Sequence, residues 1–250
     1  MKLGRFVIPL LLMLTSCVTT ETGGTQPAST KERLQAQLDL ARGYLEKGDV
    51  ANARRPLQQA LKIDPASAEA HVLMASVYLA DGDKHLAEQE YKDALRNDPK
   101  NPMAHNNYGT FLFAEGRFKD ARNQLLQAAN DPKYARRAQA YENLGLTELR
   151  LDNPKDAEQA FQRALMLNSG LPRCYLELAN IYFAAGNFPA CKEFFDKYNA
   201  MSKPSPRSLW LGVRLSRVLN DENQLASYAL ALKNLFPDSE EYRQYEARQW

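Results

Sequence analysis

Histidine and cysteine are scarce in this chain, three of each in 250 residues. His71, His85 and His105 form no His-x3-His spacing, and Cys17, Cys174 and Cys191 form no Cys-x2-Cys, so neither common pattern for a metal site is present. A Gly-x-Ser-x-Gly elbow and a Gly-rich phosphate loop are also missing, and no carboxylate pair stands out among the 30 acids. These absences leave no ground for an enzyme, a cofactor or a small-molecule substrate. An excess of one charge is lacking as well: 32 basic against 30 acidic residues give +2, and without Lys2 and Arg5 the count is 30 against 30. Nucleic-acid backbones need clustered, uncompensated Lys and Arg, so they are excluded as partners. The apolar run at residues 6–14 is nine residues long, too short for a membrane span of about 20.

That run is nevertheless informative. It follows Lys2 and Arg5 and precedes small residues, the pattern of an export signal. Leu14-Thr15-Ser16-Cys17 resembles the lipobox of bacterial lipoproteins, in which the cysteine is acylated and becomes the first mature residue. The alternative is an ordinary signal with an incidental Cys17. In such lipoproteins an Asp after the cysteine favours the inner membrane, whereas Val18 stands here. The resemblance implies a signal over residues 1–16, lipidation at Cys17, and anchoring at the periplasmic face of the outer membrane. Residues 17–30 are polar and contain Gly and Pro, and read as a flexible tether.

From residue 31 onward the chain repeats. A step of 34 carries Tyr44 to Tyr78, Gly48 to Gly82, Ala53 to Ala87, Ala60 to Ala94, Asp64 to Asp98 and Pro65 to Pro99. The same register reaches Gly116, Ala121 and Ala128, slips by two, and resumes at Gly145, Ala157, Phe161 and Ala164. This is the tetratricopeptide period, two helices (A and B) per unit. Units are expected at 34–67, 68–101, 102–135, 138–171 and 172–205. A degenerate sixth follows at 206–237, read with Arg217 in the tyrosine slot, Asp221 at the turn and Ala226 retained, and a capping helix over 238–250. The expected fold is all-α, a right-handed superhelical solenoid over 31–250.

Each recurring slot has a mechanical reason. Ala41, Ala75, Gly109, Gly145 and Ala179 are small so that helix B can approach helix A. Gly48, Gly82, Gly116 and Gly186 end helix A in a left-handed turn, with Asp152-Asn153-Pro154 substituting in the fourth unit. Pro65 and Pro99 stop helix B. His71 and His105 occupy a slot that also holds Gln37, Tyr141 and Tyr175, and so belong to the architecture; a ligand or general base would not recur as Gln and Tyr. Cys174 and Cys191 fall at different heights of one hairpin and are expected as buried thiols.

Function then lies in a surface, with helix A on the concave side. Steps of four and three along helix A select Leu38-Arg42-Leu45, Val72-Ser76-Leu79 and Asn106-Thr110-Phe113. In the next units they select Glu142-Leu146-Leu149 and Leu176-Asn180-Phe183. This weakly charged stripe suits an extended or helical peptide. Leu38 and Val72 are expected to be exposed contacts, because their slot varies to Asn106 and Glu142. Leu45, Leu79 and Phe113 either contact a partner or pack between units, and Arg42 either steers a partner or is solvated. Asn107 and Asn143 hydrogen-bond either a ligand backbone or the neighbouring helix.

The lipobox, the polar tether, six repeat units and the stretches NNYGTFLFAEGRFKDA and YENLGL together resemble the PilF/PilW family of type IV pilus biogenesis lipoproteins. The Asn106-Asn107-Tyr108-Gly109 run with the lipoprotein start carries the likeness. It implies pilotin activity: binding of type IV pilus secretin subunits and promotion of their outer-membrane placement and multimerisation. A tetratricopeptide scaffold for barrel assembly or for cell-wall enzymes is the alternative.

Overall fold

The computed structural model of the chain describes residues 28–248; the leader, Cys17 and nearly all of the tether lie outside them. Among the described residues the structure is helical throughout, with thirteen helices and no strand. Six antiparallel hairpins run α1 (Thr30–Glu46) with α2 (Val50–Ile63), α3 (Ala68–Ala80) with α4 (Lys84–Asn97), and α5 (Pro102–Ala114) with α6 (Phe118–Asn130). They continue as α7 (Arg137–Arg150) with α8 (Pro154–Leu167), α9 (Pro172–Ala184) with α10 (Phe188–Met201), and α11 (Pro206–Val218) with α12 (Glu222–Leu235). A short α13 (Glu240–Glu246) covers the end of the stack.

The helix boundaries follow from backbone groups that would otherwise lack partners. Ser29 opens α1 with a capping box: its hydroxyl accepts from the Glu32 amide at 3.2 Å, while the Glu32 carboxylate accepts from the Ser29 amide at 2.8 Å. The A helices close through one repeated device, in which the amide five residues on donates to a carbonyl in the last turn. Asp49 N reaches Tyr44 O at 2.9 Å across Gly48, whose φ is 73°, a conformation glycine adopts without strain. The fourth and sixth units place Asp152 (φ 60°) and Asn220 (φ 55°) at that position, the short polar residues that tolerate it best.

The sixth unit corrects the register expected from sequence. Asp221 N donates to Ser216 O at 2.9 Å, matching Asn187 N to Tyr182 O in the fifth. Ser216 therefore fills the tyrosine slot, in place of Arg217, and Asn220 fills the turn. Asp221 caps α12 instead, accepting from the Gln224 amide at 3.0 Å. Ala226 is exposed, and Ala229 and Leu232 carry the buried face.

Close approach within hairpins explains the small slot. A Cβ on Gly109 would lie 2.6 Å from Leu125 Cγ, and one on Gly145 would lie 2.6–2.8 Å from the Phe161 ring. Successive A helices also touch (α1 with α3, α3 with α5, α5 with α7, α9 with α11), whereas no two B helices come as close. The stack is therefore tighter on the A side, which becomes its concave face.

The seams between units carry the largest sequence misreading. Leu38 is 3% exposed and Val72 0%, so neither offers a contact to a partner. Leu38 packs in one cluster with Ala70 and Met74 of the second unit, and Val72 packs with Ala104 and Tyr108 of the third. Their slot faces the next A helix, and burying an aliphatic side chain there contributes about 1.5–3 kcal/mol. Polar ties reinforce the second seam: Glu88 of α4 accepts across it from Tyr108 Oη at 2.8 Å and Arg117 Nη1 at 2.8 Å, and from Lys92 Nζ of its own helix at 3.0 Å. Burial opposes ionisation of Glu88, yet these donors hold its carboxyl at about 2.

His71 and His105 are structural brackets. His71 sets Nδ1 2.6 Å from Glu90 Oε2 and Nε2 3.0 Å from Pro65 O, and His105 repeats this with Gln124 Oε1 at 2.7 Å and Pro99 O at 3.0 Å. The hydrogen bond to Glu90 raises the His71 pKa against the opposing effect of burial. A raised folded pKa means the contribution is complete below the ordinary value of 6.5 and is lost as pH rises through the raised value. The melting temperature of the wild type is expected to fall across that interval by more than that of His71→Gln, and parallel curves for the two proteins would contradict this.

Candidate peptide-binding groove

The concave side opens into a groove of about 670 Å³ across the second, third and fourth units. Ser76 and Leu79 of α3, Asn106, Asn107 and Thr110 of α5, and Gln139, Glu142 and Asn143 of α7 line it, with Arg136 at one rim. Lys84 and Glu115, paired at 2.8 Å, close the other rim.

Its floor is a ladder of carboxamides and hydroxyls. Asn143 Nδ2 donates to Asn106 Oδ1 at 3.3 Å and to Thr110 Oγ1 at 3.2 Å, tying α7 to α5. Thr110 Oγ1 donates to Asn106 O at 2.9 Å, and Asn106 Nδ2 to Asn107 Oδ1 at 3.3 Å. Asn106 is 8% exposed and Asn107 is half-buried. Each carboxamide has more donor and acceptor sites than these bonds use, so the ladder retains capacity for a ligand backbone. Burial pushes the Glu142 carboxyl up, nearby Glu177 adds to this, and Arg173 opposes it. The groove thus offers amide-type donors and acceptors beside Leu79, which is 37% exposed.

The other residues singled out from sequence lie elsewhere. Arg42 bridges the first seam, donating to Asp39 at 2.8 Å and pairing with Glu69 of α3. Leu45 is half-buried against the first core cluster. Phe113 packs edge-on against Phe118 at 5.4 Å, with the Arg150 guanidinium 5.9 Å above its ring. Arg136 and Gln139 were not singled out. Both lie just before Glu142 and Asn143, and extending the stripe one turn towards the start of helix A would have found them.

The two described cysteines are not activated nucleophiles. Cys174 and Cys191 are buried, separate thiols, and burial pushes both up, Cys191 to about 11, away from the reactive thiolate. Among the described residues no three His, Cys, Asp or Glu converge as a metal site, and no helix is long and apolar enough to cross a membrane.

Comparison with known proteins agrees with this architecture. Profiles of the tetratricopeptide repeat match residues 38–102, 72–135 and 148–209. The type IV pilus assembly protein PilF of Pseudomonas aeruginosa is 37% identical over 245 residues, 96% of each chain. A solved structure of P. aeruginosa PilF superposes with a TM-score of 0.84 over 88% of this chain and 99% of that one. PilW, a widely conserved type IV pilus biogenesis factor, superposes at 0.73 with 26% identity, over 85% of this chain and 97% of its own. The chain belongs to the PilF/PilW family of tetratricopeptide-repeat proteins of type IV pilus biogenesis.

Proposed function

We propose that the chain is a pilotin: anchored by acyl groups on Cys17 to the periplasmic face of the outer membrane, it binds type IV pilus secretin subunits and promotes their multimerisation there. The observation that carries the binding role is the groove over the second to fourth units, whose ladder of Asn106, Asn107, Thr110 and Asn143, with Gln139 beside it, suits the peptide groups of an extended segment while Leu79 receives an apolar side chain. Family membership supports the pilus context, and the sequence around Cys17 supports the anchor. A short flexible tether would raise the effective concentration of groove and secretin at the membrane into the millimolar range. Burial of an apolar secretin segment before assembly would then suppress its off-pathway association.

The test is secretin multimerisation in cells. Asn107→Arg with Gln139→Arg fills the groove from two partly exposed positions, so circular dichroism should stay helical while outer-membrane secretin multimers fall at least tenfold. Cys17→Ala should leave binding to soluble secretin intact and move the multimers away from the outer membrane. Wild-type multimer levels in the groove variant would place binding on another face, and correct placement in the Cys17 variant would remove the anchor from the mechanism.

A further inference from the structure

A second recess, of about 270 Å³, lies at the edge of the fourth unit, between the start of α7 and the end of α8, and is lined by Arg137, Tyr141, Arg163, Met166 and Leu167. Its origin is a local departure from the repeat. In the second and third units the corresponding edge is closed by His71 and His105, whose rings bond back to the preceding loop and across to helix B. In the fourth unit Tyr141 takes that slot and the preceding loop is two residues longer, so the tyrosine does not bond back to the loop. Arg137 replaces the back-bond, donating from Nε to Ala129 O at 2.7 Å. Arg137 Nη2 and Arg163 Nη1 then approach the Tyr141 hydroxyl oxygen from two sides, each at 3.4 Å.

Both guanidiniums lie over the Tyr141 ring, 5.5 and 5.9 Å from its centre. Among the described residues no carboxylate forms an ion pair with either. In the same recess Met166 is 78% exposed and Leu167 49%. Two guanidiniums without an ion-pair partner, sharing an open recess with two exposed apolar side chains, form a two-part site: one part asks for a carboxylate, the other for an aliphatic group beside it. We propose that this edge pocket is a second docking site, for a protein partner presenting an acidic residue with an aliphatic neighbour. Arg137 and Arg163 would take the carboxylate, and Met166 and Leu167 the aliphatic side chain. A recess of this size admits a protruding side chain, whereas a flat anionic membrane surface would reach only its rim.

The experiment uses the full chain with labelled methionine methyls and arginine side-chain nitrogens, titrated with acetyl-Leu-Glu-amide and its neutral counterpart acetyl-Leu-Gln-amide. The acidic peptide is expected to shift the Met166 methyl and the Arg163 Nε signal, and to bind about tenfold more tightly than the neutral one. Arg163→Gln, at an exposed position, should remove that preference, and Met166→Ser should weaken both peptides. Equal binding of the two peptides, no Met166 response up to the solubility limit, or an unchanged preference in Arg163→Gln each overturn the proposal. So does a Met166 shift produced only by phosphatidylglycerol vesicles, which would make the patch a membrane contact.

Discussion

Phe161→Ala is expected to lower the stability of the solenoid by about 3–5 kcal/mol and its melting temperature by roughly 6–20 °C. Phe161 is fully buried on α8, within a cluster that runs from Leu125 on α6 through Tyr141 and Leu144 on α7 to Leu178 on α9. The cluster it anchors therefore spans three consecutive units, and in a linear array the loss of one interface is not compensated by distant ones. The second half of this expectation concerns Gly145, where an added methyl would meet the ring at 2.6–2.8 Å. In the wild type Gly145→Ala should cost about 1–3 kcal/mol, because a ring buried on all sides cannot retreat. In the Phe161→Ala background the methyl enters the vacated space, and alanine's better helix propensity, worth up to about 1 kcal/mol, is then felt. Gly145→Ala should become neutral or stabilising there. Urea denaturation of the four proteins should show a coupling above about 1 kcal/mol; additive effects would mean that Gly145 and Phe161 do not share the space the structure gives them.

The hairpin pattern was legible because its determinants are local. Gly48 and Gly82 end helices, Ala53 and Ala87 keep hairpins close, and a shift of 34 finds them whatever surrounds them. The sixth unit was misregistered because its markers are chemical substitutes. Asn220 does the work of a glycine and Ser216 stands for a tyrosine, so identity matching slid by one. Pro56 illustrates the same limit: it lies inside α2 and is buried, although proline in a helix interior costs about 3 kcal/mol, because burial of Ala53, Leu57 and Ala60 holds the helix through it.

The site was legible in part. A helical stripe locates one face of helix A, and it found Asn106, Thr110 and Leu79, which line the groove. It could not tell which part of that face the next unit covers. Leu38 and Val72 vary from unit to unit not because they are exposed but because each seam is filled differently: by aliphatic side chains in the first two units, and by Asn106, whose carboxamide accepts from Asn143, in the third. Variation at a seam and variation at a surface look alike in a single sequence.

The fifth seam leads to the other large effect. Glu177 on α9 is 2% exposed and meets Arg207 of α11 through two parallel bonds, Nη1 to Oε1 at 2.5 Å and Nη2 to Oε2 at 2.6 Å. Removing the guanidinium strands a buried carboxylate, which costs about 3–5 kcal/mol when both partners are enclosed. The Arg207 side chain is 51% exposed, so water can reach part of the vacated volume, and Arg207→Ala is expected to cost about 2–4 kcal/mol. By contrast Lys197→Ala, which breaks an exposed pair with Glu193, should cost less than about 0.5 kcal/mol. The loss should also be localised. Backbone contact of α11 with α9 and α10 is sparse beside its packing on α12, and Arg207 is an ionic tie across that seam, so hydrogen exchange in Arg207→Ala should accelerate in α11, α12 and α13 before α1 to α8. Adding Glu177→Gln to Arg207→Ala should recover part of the deficit, since a carboxamide is less costly to bury than an unpaired carboxylate. A double variant no more stable than Arg207→Ala would show that the guanidinium stabilises by packing its stem rather than by neutralising Glu177. Uniform exchange along the whole array would show that the sixth hairpin and its cap do not open as a separate unit.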